Sequence, residues 1–265
     1  MKISIYQMEI IPGNPPENIR KVHAWIEKEV ELSEPDIIVL PEMWTTSYTL
    51  ENIHVYADDN GQSTVPFLKT MAKRYNVNII GGSIANKVEG KIYNTSFVIN
   101  RQGEVIYQYD KVHLVPMLNE PIYLEGGKKV PEVFELDGIK MGLIICYDLR
   151  FPEIIRPLAL EGAEVLFIVA EWPIDRLSHW RNIQITRAIE NQLFVISCNN
   201  VGSYQSVTYG GNSMVIHPSG VTLKEGSTTD EETLNISINY EESLEIRHKV
   251  PVFSSRVPGL YKQGL

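Results

Sequence analysis

Cysteine is scarce in this chain, because Cys146 and Cys198 are the two thiols among 265 residues. Two thiols cannot build the disulfide framework typical of small secreted proteins, so the sequence favours a reduced, cytoplasmic protein. Long apolar runs are also missing, since segments such as Val165–Ala170 are far shorter than the roughly 20 residues that span a bilayer. Residues 1–8 alternate like a strand, and we therefore expect no export signal.

Basic residues are fewer than acidic residues: the chain has 24 Lys and Arg against 33 Asp and Glu, which gives a net charge of −9. An acidic chain without a basic run is a poor candidate for binding nucleic acid or an anionic membrane. The six histidines lack metal-binding spacing, and the glycine-rich nucleotide-binding motifs and the serine motif G-x-S-x-G do not occur. These absences argue against a metal site, nucleotide binding and a serine hydrolase of that kind.

Hydrophobic periodicity alternates between strand and helix along the chain. Strands are predicted at residues 2–8, 36–40, 77–84, 91–100, 104–109, 139–146, 165–170, 193–198, 213–217 and 233–238. Helices are predicted at residues 63–75, 152–161 and 175–192, and another begins at Pro15 after an Asn14 cap. The central strands are expected to form antiparallel hairpins. Since no repeat or linker interrupts the pattern, we expect one domain over residues 1–265, an α/β body of mixed sheets covered by helices.

Polar groups stand where apolar strands end. Glu42 follows the apolar run at 36–41, Cys146 ends the strand at 139–146, and Lys111 lies just beyond the strand ending at Tyr109. Open α/β sheets bind ligands at the carboxyl ends of their strands, so a site is expected there. Each residue also has an ordinary structural explanation: the two charged side chains can be solvated, and a cysteine at a strand end is usually a small buried hydrophobe.

The two cysteines differ in the segments on their carboxyl-terminal sides. Cys146 leads through a sharp turn into the helix predicted at 152–161, and the positive end of a helix dipole favours a thiolate. Cys198 has a similar apolar strand before it but leads into the loop at 199–202. These patterns give the hypothesis of a reactive thiol at Cys146 and go no further.

Three segments of the chain resemble the signature motifs of the carbon–nitrogen hydrolase (nitrilase) superfamily. They are Leu-Pro-Glu-Met at 40–43, Tyr-Asp-Lys-Val-His-Leu at 109–114 and Cys-Tyr-Asp-Leu-Arg-Phe-Pro-Glu at 146–153. Residues 209–213 and 256–261 also match features of the family. The resemblance covers nearly the whole chain and implies a four-layer αββα sandwich with two mixed β-sheets, which pairs into homodimers.

Within the superfamily the sequence is most similar to the ω-amidase-like branch, which releases ammonia from the terminal amide of 2-oxo acids such as 2-oxoglutaramate. The features that carry this likeness are Pro-Glu-Met-Trp-Thr-Thr at 41–46, Trp-Pro at 172–173, His-Trp at 179–180 and Arg-Ala-Ile-Glu-Asn-Gln at 187–192. Two residues depart from the branch. Glu171 stands where a small or amide residue is expected, and Tyr48 lies in a loop that often carries Gly.

The resemblance implies that Cys146 is a nucleophile and that Glu42 is its base. An amide carbon is a poor electrophile, so this chemistry needs an activated sulfur and a stabilised oxyanion. Lys111 and the backbone N–H of Tyr147 are expected to stabilise the oxyanion, and Glu120 to orient Lys111. Neither a metal nor an organic cofactor has a task in this scheme.

A 2-oxo acid amide carries a carboxylate, so its pocket needs a cation. Arg176 and His179 are candidates by position, and Trp172 is expected to form an apolar wall, although a core aromatic explains it equally well. Three alternatives stay open: a nitrile, carbamoyl amine or aliphatic amide as substrate, a non-catalytic binding module, and acyl transfer to an amine.

Overall fold

The computed structural model describes residues 1–261, in which strands and helices alternate. The strands are β1 (Lys2–Gln7), β2 (Ile37–Val39), β3 (Asp58–Asp59), β4 (Asn78–Ile80), β5 (Ile84–Val88), β6 (Lys91–Ile99), β7 (Val105–Asp110), β8 (Phe134–Leu136), β9 (Ile139–Ile145), β10 (Val165–Ala170), β11 (Phe194–Asn199), β12 (Ser203–Tyr204), β13 (Val207–Thr208), β14 (Met214–Ile216), β15 (Thr222–Glu225) and β16 (Glu232–Ser237). The helices are α1 (Pro15–Ser33), α2 (Ile53–Tyr56), α3 (Thr64–Tyr75), α4 (Glu120–Tyr123), α5 (Pro152–Leu160), α6 (Leu177–Asn191) and α7 (Glu242–Lys249).

Two mixed sheets form the centre of the molecule. The first has the order β16-β1-β2-β4-β6-β5-β3, with β7 also paired to β6, and its strands β1, β2 and β4 are parallel. The second has the order β15-β14-β11-β10-β9-β8, with β9, β10 and β11 parallel. The α/β fold with two mixed sheets is therefore confirmed.

The side chains of β2 show how the layers are stacked. Ile37 and Val39 belong to the hydrophobic cluster that also contains the strands of the second sheet, whereas Ile38 and Leu40 pack in a separate cluster with α1 and α3. Successive side chains of a strand point to opposite faces, so one face of the first sheet meets the second sheet and the other meets helices. On the far side α5 and α6 cover the second sheet, which completes the αββα order.

The first helix forms as its cap motif indicates. The side chain of Asn14 accepts a hydrogen bond from the backbone N–H of Glu17 at 3.4 Å, and Pro15 occupies the first helical position. Val22 and Ile26, one turn apart, are fully buried against the sheet. None of the helices within residues 1–261 is long and apolar enough to cross a membrane.

The single strand predicted at residues 77–84 is wrong. The structure has two strands there, β4 and β5, which both pair antiparallel with β6. Gly82 separates them with a φ of +61°, a left-handed conformation that breaks a strand. Hydrophobic periodicity also missed α7, because that helix buries little besides Ser243 and therefore carries no apolar stripe.

Candidate active site

Glu42 lies in the loop that follows β2 and is fully buried. A Cβ atom on Gly82 would stand 2.0 Å from the carbonyl oxygen of Pro41, so this close approach of two backbones needs glycine. The Oε1 atom of Glu42 accepts hydrogen bonds from Lys111 Nζ (2.9 Å) and Asn94 Nδ2 (2.8 Å). Strand geometry and these donors hold the carboxylate beyond the carboxyl end of β2, a central strand of the first sheet.

Lys111 follows β7 and is also fully buried. Its Nζ atom donates to Glu120 Oε1 at 2.8 Å as well as to Glu42. Burial lowers the pKa of Lys111, but the carboxylates of Glu120 and Glu42 outweigh this and hold it well above its usual value. The amine is therefore a permanent cation at neutral pH. Glu120 opens α4, and its Oε2 atom accepts from the backbone N–H of Val115 at 2.7 Å.

Tyr48 places its hydroxyl among these three charged groups. The oxygen lies 2.7 Å from Glu42 Oε1, 2.5 Å from Glu120 Oε1 and 3.1 Å from Lys111 Nζ. Burial raises the pKa of Tyr48 well above its usual value, and the two carboxylates raise it further, so the phenol keeps its proton. Tyr48 is thus an additional member of the cluster, whose role the sequence did not reveal.

Cys146 directly follows β9 with a backbone φ of +45° and begins a short 3₁₀ helix, Cys146–Arg150. A non-glycine residue in this left-handed region is strained and needs support from its surroundings. Asp148 supplies such support, because its carboxylate accepts from the backbone N–H groups of Ile145 (3.2 Å) and His113 (3.1 Å) and from the hydroxyl of Tyr109 (2.8 Å). It therefore joins the turn after Cys146 to the loop after Lys111.

Burial and charge at Cys146 act against a thiolate, and the contribution of a helix dipole stays a prediction. Burial raises the pKa of the Cys146 thiol well above its usual value, and the charge of Glu42 raises it further, while Lys111 lowers it. These effects favour a thiol at rest, and a base must remove its proton before the sulfur can attack.

Both sheets contribute residues to this cluster. Glu42, Lys111 and Tyr48 follow strands of the first sheet, whereas Cys146 and Glu171 follow β9 and β10 of the second. The backbone N–H of Glu171 donates to Glu42 Oε2 at 2.8 Å and so connects the sheets at the site. A carboxylate has about four acceptor positions, so Oε2 keeps the capacity to take up another proton.

A narrow cavity of about 20 Å³ leads to Cys146. Its lining includes Tyr147, Arg150, Glu171, Trp172 and Arg176. The guanidinium of Arg150 lies 4.8 Å from the centre of the Trp172 ring, and its Nε atom is buried without a hydrogen-bond partner in the part of the chain that the structure describes. Sequence reasoning passed over Arg150, although it stands within the motif that begins at Cys146.

A model of the carbon–nitrogen hydrolase family matches residues 2–247 of this chain. The chain belongs to the carbon–nitrogen hydrolase family. A 2-oxoglutaramate amidase of Bacillus subtilis (strain 168) is 44% identical over 259 residues, which cover 98% of each chain. A hydrolase in the agr operon of Staphylococcus aureus is 42% identical over 263 residues, 99% of this chain and 100% of the relative.

A solved structure supports the same family assignment. Nit3 of Saccharomyces cerevisiae, described as a member of branch 10 of the nitrilase superfamily, superposes with a TM-score of 0.88 at 27% identity, over 96% of each chain. The predictions of family, fold and amidase class are confirmed. In this carbon–nitrogen hydrolase no group of three or more His, Cys, Asp or Glu side chains among residues 1–261 is placed to hold a metal ion.

The structure of this carbon–nitrogen hydrolase brings all but one of the predicted site side chains into the cluster or the cavity lining. Glu42, Lys111 and Glu120 are joined by hydrogen bonds, and Cys146, Tyr147, Trp172 and Arg176 line the cavity. The indole N–H of Trp172 donates to the backbone oxygen of Arg176 at 2.9 Å, which fixes the ring as a wall. His179 is exposed on α6 and does not belong to the lining.

Proposed function

We propose that this carbon–nitrogen hydrolase releases ammonia from the ω-amide of a 2-oxo dicarboxylic acid monoamide, of the 2-oxoglutaramate type. The observation that carries the proposal is the buried thiol of Cys146, which interacts with Glu42 and Lys111 and lines a cavity together with the half-buried Arg150. The name of the Bacillus subtilis relative, a 2-oxoglutaramate amidase, supports the same substrate class.

In the first half of the proposed reaction Glu42 takes the proton of Cys146, and the sulfur attacks the amide carbon. The developing oxyanion is stabilised by Lys111, which is cationic and already held in place by two carboxylates. The backbone N–H of Tyr147 is the second donor. Removal of one such donor commonly raises the barrier by about 2.7–4 kcal/mol.

In the second half the C–N bond breaks and Glu42 returns its proton to the departing nitrogen, which leaves as ammonia. The remaining acyl group is a thioester on Cys146. Glu42 then deprotonates a water molecule, whose oxygen attacks the thioester and releases the acid, while the proton passes back to the sulfur. One carboxylate serves as base and acid in turn because the proton that it takes from the sulfur is the proton that the leaving group needs.

The carboxylate of the substrate requires a cation in the cavity. We assign this task first to Arg150, because its guanidinium stacks on Trp172 and its Nε atom has no other partner in the described chain. Arg176 also lines the cavity and stays a second candidate. A planar guanidinium can hold a carboxylate through two parallel hydrogen bonds.

The proposal is tested by Cys146→Ala, with Cys198→Ala as the matched control. Both cysteines are buried at or near a strand end of the second sheet, but Cys198 lies between the sheets with its thiol 3.2 Å from the backbone oxygen of Tyr6. We expect Cys146→Ala to lower ammonia release from 2-oxoglutaramate by roughly 10⁴-fold or more, because the nucleophile is lost. Circular dichroism should stay unchanged. Near-normal turnover in this variant would refute the assignment.

Trapping the intermediate separates hydrolysis from other outcomes. Rapid quench with a slowly hydrolysed amide should leave an acyl adduct on the peptide that contains Cys146, detectable by mass spectrometry.

A panel of nitrile, carbamoyl amine and aliphatic amide substrates tests the preference for the 2-oxo acid amide, and added hydroxylamine reveals any acyl transfer. A protein that turns over none of these compounds would be a binding module.

We further infer that the chain acts as one domain over residues 1–265, in the cytoplasm, as a homodimer. The free thiols of Cys146 and Cys198 favour a reducing compartment, and the family resemblance supports a dimer. Light scattering of the purified protein measures its mass, and a monomer mass at micromolar concentration would refute the dimer.

A further inference from the structure

Glu171 follows β10 and stands where the ω-amidase-like branch that the sequence resembles is expected to have a small or amide residue. Its side chain is fully buried and lines the cavity beside Cys146. Oε2 accepts a hydrogen bond from Ser47 Oγ at 3.2 Å. Oε1 is buried as well and makes no hydrogen bond of normal geometry within residues 1–261, and the hydroxyl of Tyr209 lies near enough to the carboxyl group to affect its pKa. A buried carboxyl oxygen without a partner is costly, so this atom is available to a ligand in the cavity.

The charges around Glu171 decide its protonation state. Glu42 and Glu120 share one buried cation, Lys111, through hydrogen bonds of 2.9 and 2.8 Å. An ionised Glu171 would add a third negative charge to this region. Burial raises the pKa of Glu171 well above its usual value and Glu42 raises it further, while Tyr209, Ser47 and Lys111 oppose the shift. Two half-buried cations, Arg150 and Arg176, line the same cavity.

We propose that Glu171 is a specificity-determining residue that remains a neutral carboxylic acid during turnover and donates a hydrogen bond from Oε1 to an oxygen of an anionic substrate. The inference rests on the proposed function, since it assumes a substrate that carries a carboxylate. A neutral acid lets the anion bind, whereas an ionised Glu171 would repel the anion and offer it no proton. Glu171 therefore works with Arg150, which supplies the opposite charge.

The pH dependence has a definite sign. Below its folded-state pKa Glu171 is protonated and the cavity accepts the anion, and above that pKa the proton is lost to solvent. We therefore expect kcat/KM for 2-oxoglutaramate to fall, through a rising KM, as pH increases through this pKa. A neutral amide such as butyramide should not show this rise in KM.

The test compares Glu171→Gln, Glu171→Leu and the wild type between pH 6 and pH 10. Gln keeps a donor and cannot ionise, so this variant should retain kcat/KM within about 3-fold at pH 6 and lose less activity on the anion at alkaline pH. Leu has no donor and should lower kcat/KM for the anion by about 10–100-fold. Glu29→Gln changes another buried carboxyl, on α1, and should leave the wild-type profile unchanged.

Two results would overturn the inference. One is a Glu171→Gln variant as impaired as Glu171→Leu at pH 6, which would mean that the ionised carboxylate is the working form. The other is an identical change with pH in the KM of the wild type and of Glu171→Gln for the anion. If the wild type does not hydrolyse 2-oxoglutaramate at all, the proposed function fails instead.

Infrared spectroscopy then tests Glu171 without any substrate. A neutral carboxylic acid has a C=O stretching band distinct from that of a carboxylate. The band should be present in the wild type at pH 7 and reduced in Glu171→Gln. Its absence from the difference spectrum would refute the neutral acid whatever the substrate proves to be.

Discussion

At the scale of single residues, the hydroxyl of Tyr48 is the group whose contribution can be measured most directly. It lies within 2.5–3.1 Å of Glu120, Glu42 and Lys111. A phenol has one proton, so it donates to one carboxylate at a time and accepts from the lysine. Tyr48→Phe removes these contacts and keeps the ring. Since hydrogen bonds to charged groups contribute about 1.5–3 kcal/mol, we expect kcat to fall about 10–100-fold with a smaller change in KM.

Steady-state kinetics on 2-oxoglutaramate measure this effect, and Tyr75→Phe is the control. Tyr75 also donates to a carboxylate, that of Glu27 at 3.0 Å, but lies on α3 away from the site. Its loss should leave kcat unchanged. If Tyr48→Phe has wild-type kcat, the hydroxyl does not position Glu42 and Lys111.

The residues of the site were predictable from the sequence to different degrees. Glu42 and Cys146 stand at the ends of apolar strands, and that local signal singled them out. Lys111, just beyond the strand ending at Tyr109, gave the same signal, and the family resemblance was needed to add Glu120. Tyr48 and Glu171 were noticed only as departures, because the contacts of Tyr48 with Glu120 and of Glu171 with Glu42 join residues distant in sequence and no periodic pattern records such a contact.

At the scale of elements, the loop that carries Glu42 depends on a neighbouring glycine. Gly82 has a φ of +61°, and a Cβ atom there would stand 2.0 Å from the Pro41 oxygen. We expect Gly82→Ala to displace the segment at 41–42 and to lower both the free energy of unfolding and kcat. The left-handed backbone alone costs about 1–2 kcal/mol, so the loss of stability should exceed this value. Urea denaturation and ammonia release measure the two effects.

Gly90→Ala separates backbone strain from the steric clash. Gly90 has a φ of +79°, but nothing lies within 4 Å of the position of its Cβ atom. The variant should therefore show the backbone cost alone and keep wild-type kcat. Equal losses of stability in the two variants would mean that the approach of Gly82 to Pro41 does not hold the loop.

The helices and strands were predicted well where an apolar run has clear ends and poorly where local backbone geometry ends an element. The strand at 165–170 matches β10 to the residue, because a continuous apolar run has clear ends. The strand at 77–84 was wrong because its apolar residues continue on both sides of Gly82, where backbone geometry rather than hydrophobicity ends β4.

At the scale of the whole molecule, the active site exists only while the two sheets are packed together. Glu42 and Lys111 come from the first sheet and Cys146 and Glu171 from the second, and the hydrogen bond from Glu171 to Glu42 crosses between them. The relative placement of the sheets results from the packing of many apolar side chains at once. A single sequence predicts which strands are buried but not how two sheets face each other, which is why the layer order had to come from resemblance.

Packing between the sheets leads to a prediction about unfolding. Ile5 is fully buried in the cluster shared by both sheets, so Ile5→Ala should lower the free energy of unfolding by about 2–5 kcal/mol. Because the site takes groups from both sheets, ammonia release and far-ultraviolet circular dichroism should be lost in one urea transition. Val55→Ala, at a side chain 66% exposed, should change stability by less than about 0.5 kcal/mol. Two separate transitions would show that the sheets unfold independently, and the single-domain proposal would fail.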